Sequence, residues 1–348
     1  MRRVRMTKLA SVAMAGALVM AAAACGGGEG GGTEGGGDGA ARVGLAYDIG
    51  GRGDRSFNDA AYRGLEQVAE ELDLEVQDLA AEADETDADK VARLQLMAEE
   101  GYNPIIAVGF AYSGAVAQVA AEYPDVQFAI VDDEANDLPN LTNLVFAEEQ
   151  ASFLAGAAAA LATEEDHIGF VGGVENPLIQ KFEAGYVAGA QHINPDIQID
   201  IAYITQPPDF TGFTDPARGQ AAAQGQYDAG ADVVYHAAGA SGNGVIDAAV
   251  ANEQLVIGVD SDQYLTADPE EQPYILTSAV KLVDTAVFEF VQGAVNGTAE
   301  GGTVRFDLAN EGVGYSRSNT ELIGEYEEQL DELQQQIIDG EIEVPTEP

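Results

Sequence analysis

The chain has 348 residues, with 15 Lys plus Arg against 60 Asp plus Glu, a formal charge of −45. Such a balance excludes a nucleic-acid surface, which needs clustered cations to displace phosphate counterions, and a basic face for anionic lipid. A hydrophobic content of 46%, with 12 Phe and 13 Tyr, suffices for a sizeable core, and a single cysteine rules out an intrachain disulfide or a cysteine zinc cluster.

The chain opens on Arg2, Arg3, Arg5 and Lys8, followed by the apolar run LASVAMAGALVMAAAA at 9–24. That run is shorter than the roughly 20 residues of a spanning helix and fits an export signal ending in small residues. Cys25 follows at once in the run Ala22-Ala23-Ala24-Cys25, which resembles a bacterial lipobox, with Ala22 in place of the usual Leu. Residues 26–40 are dominated by glycine, a flexible tether of roughly 20 Å reach. The expectation is a signal peptide over 1–24, then a lipidated Cys25 and tether over 25–41, holding the protein on the extracytoplasmic face of a membrane. An ordinary signal peptide with an incidental cysteine is the alternative.

From residue 42 the pattern alternates short apolar runs with helical periods. Strands are predicted at 42–47, 74–78, 104–108, 126–131 and 141–146, then at 167–171, 197–204, 232–236, 255–259, 274–279 and 303–307. Helices are predicted at 57–72, 86–101, 113–122, 149–162, 177–192, 215–229, 242–252, 281–297 and 319–340. Strands alternating with helices specify an α/β fold with parallel sheets covered on both faces. The two series predict two doubly wound lobes: 42–146 with about 262–298, and 147–261 with about 299–348. Acid-rich stretches at 66–100 and 321–342 read as solvated helix faces.

In such sheets a ligand binds at the carboxyl ends of the strands, here in the cleft between lobes. Those ends carry Asp48, then Phe57 and Asn58, then Asp132 beside Asp133, Gly239 in a glycine loop, Asp260 and Lys281. The set suits a neutral, flat, hydroxyl-rich ligand: carboxylates accept from N–H and vicinal hydroxyl groups, and an aromatic ring stacks on a flat face. Three carboxylates would repel phosphate. Each residue has a second reading. Phe57 fits a hydrophobic staple, Ser56 or Asn58 a helix cap, and Asp48 or Asp260 a turn. Phe213 and Phe182 fit the core, and Lys281 the surface or a pairing with Asp260. No phosphate-loop motif or nucleophile elbow is present, and the three histidines lack zinc-ligand spacing.

The stretch DIGGRGDRSFNDAAYRG at 48–64 resembles the opening signature of the basic membrane protein family, also called PnrA-like or Med-like. FAIVD at 128–132, IGFVGG at 168–173, FEAGYVAGA at 182–190, GFTDPARG at 212–219, VIGVDSDQ at 256–263 and LTSAVK at 276–281 extend the resemblance in order. It implies a type I periplasmic-binding fold with three crossovers. It also implies a lipid-anchored, nucleoside-binding protein that delivers its ligand to an ABC permease, acting as a monomer without cofactor or metal. By the same resemblance Phe57 and Phe213 sandwich a purine base, and Asp260 and Lys281 hold the ribose. Gly239 contributes its backbone, and Asp48, Asn58 and Asp132 contact the base edge. The chain reads Gly-Phe-Thr at 212–214 where the family usually has Gly-Ser-Phe. The alternatives are a sugar-binding protein of the same fold, a surface nucleoside-processing enzyme, and a sensor or adhesin without transport.

Overall fold

The computed structural model describes residues 41–81 and 85–348. The signal segment, Cys25 and the tether lie outside the described residues.

Two six-stranded sheets form the frame. The first is built from β1 (Arg42–Ala46), β2 (Glu75–Leu79), β3 (Ile105–Ala107), β4 (Phe128–Val131), β5 (Leu141–Phe146) and β11 (Gly302–Phe306). Its order is β11-β5-β4-β3-β1-β2, and every pair is parallel. The second uses β6 (His167–Val174), β7 (Gln198–Thr205), β8 (Val233–Ala237), β9 (Leu255–Asp260), β10 (Ile275–Lys281) and β12 (Val313–Tyr315). Its order is β12-β10-β9-β8-β6-β7, parallel except for the antiparallel β12 edge. The central strands β3, β4, β6 and β8 are buried throughout, as expected for sheets covered on both faces.

Helices follow the predicted periods. α1 (Phe57–Leu72) buries Ala60, Ala61, Gly64, Leu65 and Val68, one stripe of a helix. It packs against α9 (Val283–Val295); a Cβ at Gly64 would lie 2.5 Å from the Asp284 carbonyl oxygen, so only glycine lets the helices meet this closely. α4 (Glu148–Ala162) is alanine-rich and buried along most of its length, and it packs on α5 (Pro177–Ile193). Burial of Phe153 and Leu154 there contributes about 1.5–3 kcal/mol each. The remaining helices are α2 (Asp87–Glu99), α3 (Ser113–Glu122), α6 (Pro216–Ala229), α7 (Gly242–Asn252), the single turn α8 (Gln263–Thr266) and α10 (Glu327–Ile338).

The chain crosses between lobes three times: at Ala147, at Leu282, and over 307–312 between β11 and β12. The lobe assignment expected from sequence differs at two strands. β10 falls in the 262–298 stretch but pairs with β9 and β12 of the second sheet. β11 falls in the 299–348 stretch but pairs with β5 of the first. Apolar patterning marks a strand without naming its neighbour. The predicted helix at 319–340 is shorter, starting at Glu327, because 319–326 forms turns that bury Ile323 instead.

Candidate functional site

The carboxyl ends of β1, β3 and β4 face those of β8, β9 and β10 across a cavity of about 570 Å³ of atom-free space, its mouth included. All eight predicted site residues line it: Asp48, Phe57, Asn58, Asp132, Phe213, Gly239, Asp260 and Lys281.

Its inner end is a charge cluster. Lys281, the last residue of β10 before the crossover, is 3% exposed and donates from Nζ to Asp132 Oδ2 at 2.7 Å. Asp260 Oδ1 lies 3.7 Å from the same nitrogen and Glu148 Oε1 3.9 Å. Burial alone would lower the lysine pKa, but Asp132, Asp260 and Glu148 more than offset it and hold it above the ordinary range. Burial likewise pushes the Asp260 carboxyl up, against the opposing pull of Lys281 and of a 2.6 Å bond from Ser56 Oγ. Asp132, directly after β4, and Asp260, the last residue of β9, both lie in left-handed backbone, with φ of 65° and 59°. Few non-glycine residues adopt that conformation, and such strain concentrates at functional sites. Asp132 Oδ1 is buried with no hydrogen-bond partner among the described residues. The neighbouring Asp133 instead accepts from Ser113 Oγ at 2.9 Å, so Asp132 is the aspartate that faces the cavity.

Aromatic rings wall the space. Phe57 enters from the first lobe, as the first residue of α1, and its ring centroid lies 4.7 Å from Lys281 Nζ. Phe213 enters from the second lobe, on a 3-10 turn spanning Thr211–Phe213. Its ring rests over Gly173, where a Cβ would come within 2.4 Å of it. The shifted Gly-Phe-Thr spelling therefore still delivers a phenylalanine to the wall. Phe182, expected in the core, is 4% exposed and serves both core and cavity.

The outer end is set by the glycine-rich loop after β1. Asn58 Oδ1 accepts from the Asp48 N–H at 3.1 Å, which ties the two residues together. Asp48 Oδ1 accepts from the Ile49 N–H at 2.8 Å. Burial nevertheless pushes the Asp48 carboxyl up to about 7. Its other oxygen lies against Gly109 at φ 92°, where a Cβ would sit 2.4 Å from Asp48 Oδ2. Ser56 holds the N-cap position of α1, but neither its side chain nor that of Asn58 makes the capping bond. The buried Asp54 accepts from the N–H groups of Ser56, Asn58 and Asp59 at 3.0, 2.8 and 3.1 Å. This frees the Ser56 hydroxyl for Asp260 and the Asn58 amide for the cavity.

Sequence reasoning missed Leu178 and Ile179, which line the wall from the first turn of α5. The cue was present: Asn176 caps this helix, accepting from both their N–H groups, just after the end of β6. The histidines lie off the cavity. His236 is fully buried behind Gly242, and burial lowers it to about 4, while His167 bonds Asp200 and Gln198. Among the described residues no cluster of His, Cys, Asp or Glu could hold a metal ion, and no helix is long and apolar enough to cross a membrane.

Residues 41–347 match the Bmp family, the PnrA-like substrate-binding proteins of ABC transporters. The chain belongs to this family. A Lactococcus lactis protein named ABC transporter nucleoside-binding protein BmpA is 34% identical over 320 residues, covering 88% of this chain and 89% of its own. A Listeria monocytogenes protein named CD4+ T-cell-stimulating antigen is 35% identical over 321 residues, covering 88% of each chain. The crystal structure of an ABC transporter solute-binding protein from Aeropyrum pernix superposes with a TM-score of 0.75 at 28% identity, covering 88% of this chain and 93% of that one. As a Bmp protein, the chain has the type I periplasmic-binding fold and is a substrate-binding protein rather than an enzyme. Proteins of this kind bind small-molecule ligands and work with membrane permease subunits.

Proposed function

We propose that this Bmp protein captures a purine nucleoside outside the cell and delivers it to its permease, held at the membrane by a lipid on Cys25. The supporting observation is the pairing of Phe57 and Phe213, from opposite lobes, on a cavity whose inner end holds Asp132, Asp260 and Lys281. The two rings stack on the faces of the base. Lys281 donates to a ribose hydroxyl, while Asp260 and the unpartnered Asp132 Oδ1 accept from the vicinal hydroxyls. Asp132 therefore acts at the ribose end, since it shares Lys281 with Asp260. Asp48 and Asn58 read the base edge, and Gly239 contributes backbone contacts. Because the ligand touches both lobes only when they are closed, it shifts the population toward closure. The relative named for nucleoside binding supports the same ligand class.

The test is calorimetric titration of the purified chain, refolded to strip carried-over ligand, with adenosine, guanosine, inosine, cytidine, uridine, ribose and common sugars. Purine nucleosides should bind most tightly. Binding of sugars alone would replace this reading with a sugar carrier. For the anchor, wild-type protein should partition with membranes and carry acyl mass at Cys25, and Cys25→Ser should be released.

A further inference from the structure

The loop that supplies Phe57 also carries a side chain that reaches across to the other lobe without touching the cavity. Arg55 stands between the buried cap Asp54 and Ser56, in left-handed backbone with φ 54°. Asp59 fixes that conformation by accepting from the Arg55 N–H at 2.8 Å and from the Gly53 N–H at 2.9 Å. The guanidinium then spans the lobes. Nη1 and Nη2 donate to the two oxygens of Glu271 at 2.6 and 3.2 Å, and Nε donates to Asn243 Oδ1 at 2.7 Å. Glu271 precedes β10 and Asn243 belongs to α7, both in the second lobe. Neither residue lines the cavity, and nor does Arg55.

This is a two-pronged arginine–carboxylate contact, strong and demanding in orientation. Its side chains are 23% and 12% exposed, so solvent screens it less than a surface pair. Glu271 is itself oriented by the Asp268 N–H, which donates to Oε2 at 2.8 Å. Burial would raise the Glu271 carboxyl, but Arg55 and that N–H more than offset it and hold it below the ordinary glutamate range. The next residue, Ser56, adds its hydroxyl bond to Asp260 and accepts from Ser261 Oγ at 2.8 Å. Parting the lobes must break the Arg55 bonds to Glu271 and Asn243 and the Ser56 bonds to Asp260 and Ser261 together.

We propose that Arg55, with Glu271 and Asn243, is an inter-lobe latch: a positioning residue that stabilises the closed state and sets how long the ligand stays, without contacting it. The choice of a nucleoside as probe rests on the function proposed above; the latch itself does not. A contact made only in the closed state reduces the fraction of open protein, and so reduces the penalty that closure imposes on affinity. It must break before a bound ligand can leave, so it acts on release more than on capture.

The experiment measures association and dissociation rates of inosine by stopped flow on the full chain and on Arg55→Ala, Arg55→Lys, Glu271→Gln and the Arg55→Ala/Glu271→Gln pair. Near-UV circular dichroism confirms folding of each. Dissociation should rise about tenfold in Arg55→Ala and in Glu271→Gln, with association changed less than about threefold. Arg55→Lys, which keeps the charge but not the fork, should fall between. The double variant should be no faster than the worse single, since both remove one contact. Unchanged dissociation, or additive effects in the double variant, overturns the latch. Small-angle scattering of the ligand-free proteins supplies a readout that needs no nucleoside. The latch predicts a larger radius of gyration for Arg55→Ala and Glu271→Gln than for wild type, and identical radii overturn it. If inosine fails to bind wild type, the purine nucleoside that the calorimetric titration selects replaces it as probe; if none binds, the nucleoside reading fails and the scattering alone decides the latch.

Discussion

Asp132 and Asp260 hold matching places in the two lobes, each in left-handed backbone at the carboxyl end of the third strand in from one edge of its sheet, and they converge on one ammonium group. Lys281 lies 2.7 Å from the first and 3.7 Å from the second. It sits on the last residue before a crossover, so the lysine is a pivot shared by both lobes rather than a member of one. Two like charges brought this close need the cation between them. The same arrangement leaves Asp132 Oδ1 as an acceptor for a ligand.

Replacing Lys281 with Met should therefore cost both fold and function. Breaking a buried ion pair from one side leaves uncompensated charge, a loss of about 3–5 kcal/mol. Urea unfolding should show that drop, and nucleoside binding should disappear. Adding Asp132→Asn to the Lys281→Met variant should recover part of the stability without recovering binding. Equal stability of wild type and Lys281→Met would contradict the cluster.

The two stacking rings should matter to binding more than to folding. Base–aromatic stacking contributes about 1–3 kcal/mol per base, so Phe57→Ala and Phe213→Ala should each weaken purine nucleoside binding by about 10- to 100-fold. Titration calorimetry reads the loss directly. A loss in only one variant would mean the base lies against one lobe, and closure would need another cause.

Much of this was legible in the sequence because strand ends are legible. A parallel sheet sends its carboxyl ends to one side, so finding where each apolar run stops was enough to gather Asp48, Asp132, Asp260 and Lys281. What patterning lacks is partner choice and side-chain direction. β10 and β11 were each assigned to the other lobe, since an apolar run states no neighbour. Ser56 and Asn58 looked like caps because residue type marks a helix start, but Asp54, farther back in the loop, reaches three N–H groups at once. Arg55 carried no local signal, because its partners lie 188 and 216 residues away.

Asp48 should make base preference depend on pH. Its carboxyl, pushed up to about 7 by burial, is ionised above that pH and protonated below it. A carboxylate accepts from the ring N–H of inosine or guanosine; a protonated carboxyl can donate to the bare ring nitrogen of adenosine. The ratio of inosine to adenosine affinity should rise between about pH 6 and 8. In Asp48→Asn the ratio should stay flat. Competition titrations across that range decide the matter, and a flat wild-type profile would remove Asp48 from the base edge.

The same carboxyl bears on stability, together with the general acidity of the chain. A carboxyl whose folded pKa lies above its unfolded value binds its proton more tightly when folded. Stability is then fully present below the unfolded value of 3.8 and falls as pH rises toward about 7. Asp54, raised to about 6 by burial, acts in the same direction. The formal charge of −45 adds self-repulsion that weakens as carboxylates protonate or as salt screens them. The melting temperature should therefore rise on going from pH 8 to pH 5.5, and at pH 8 on going from about 0.05 to about 1 M NaCl, where screening shortens to roughly 3 Å. Asp48→Asn should be the more stable protein at pH 8 and lose most of that advantage near pH 5. Nucleoside affinity should respond far less to salt, because Lys281 and its carboxylates are buried. A melting temperature indifferent to both pH and salt would show that the acidic surface is too dispersed to strain the fold.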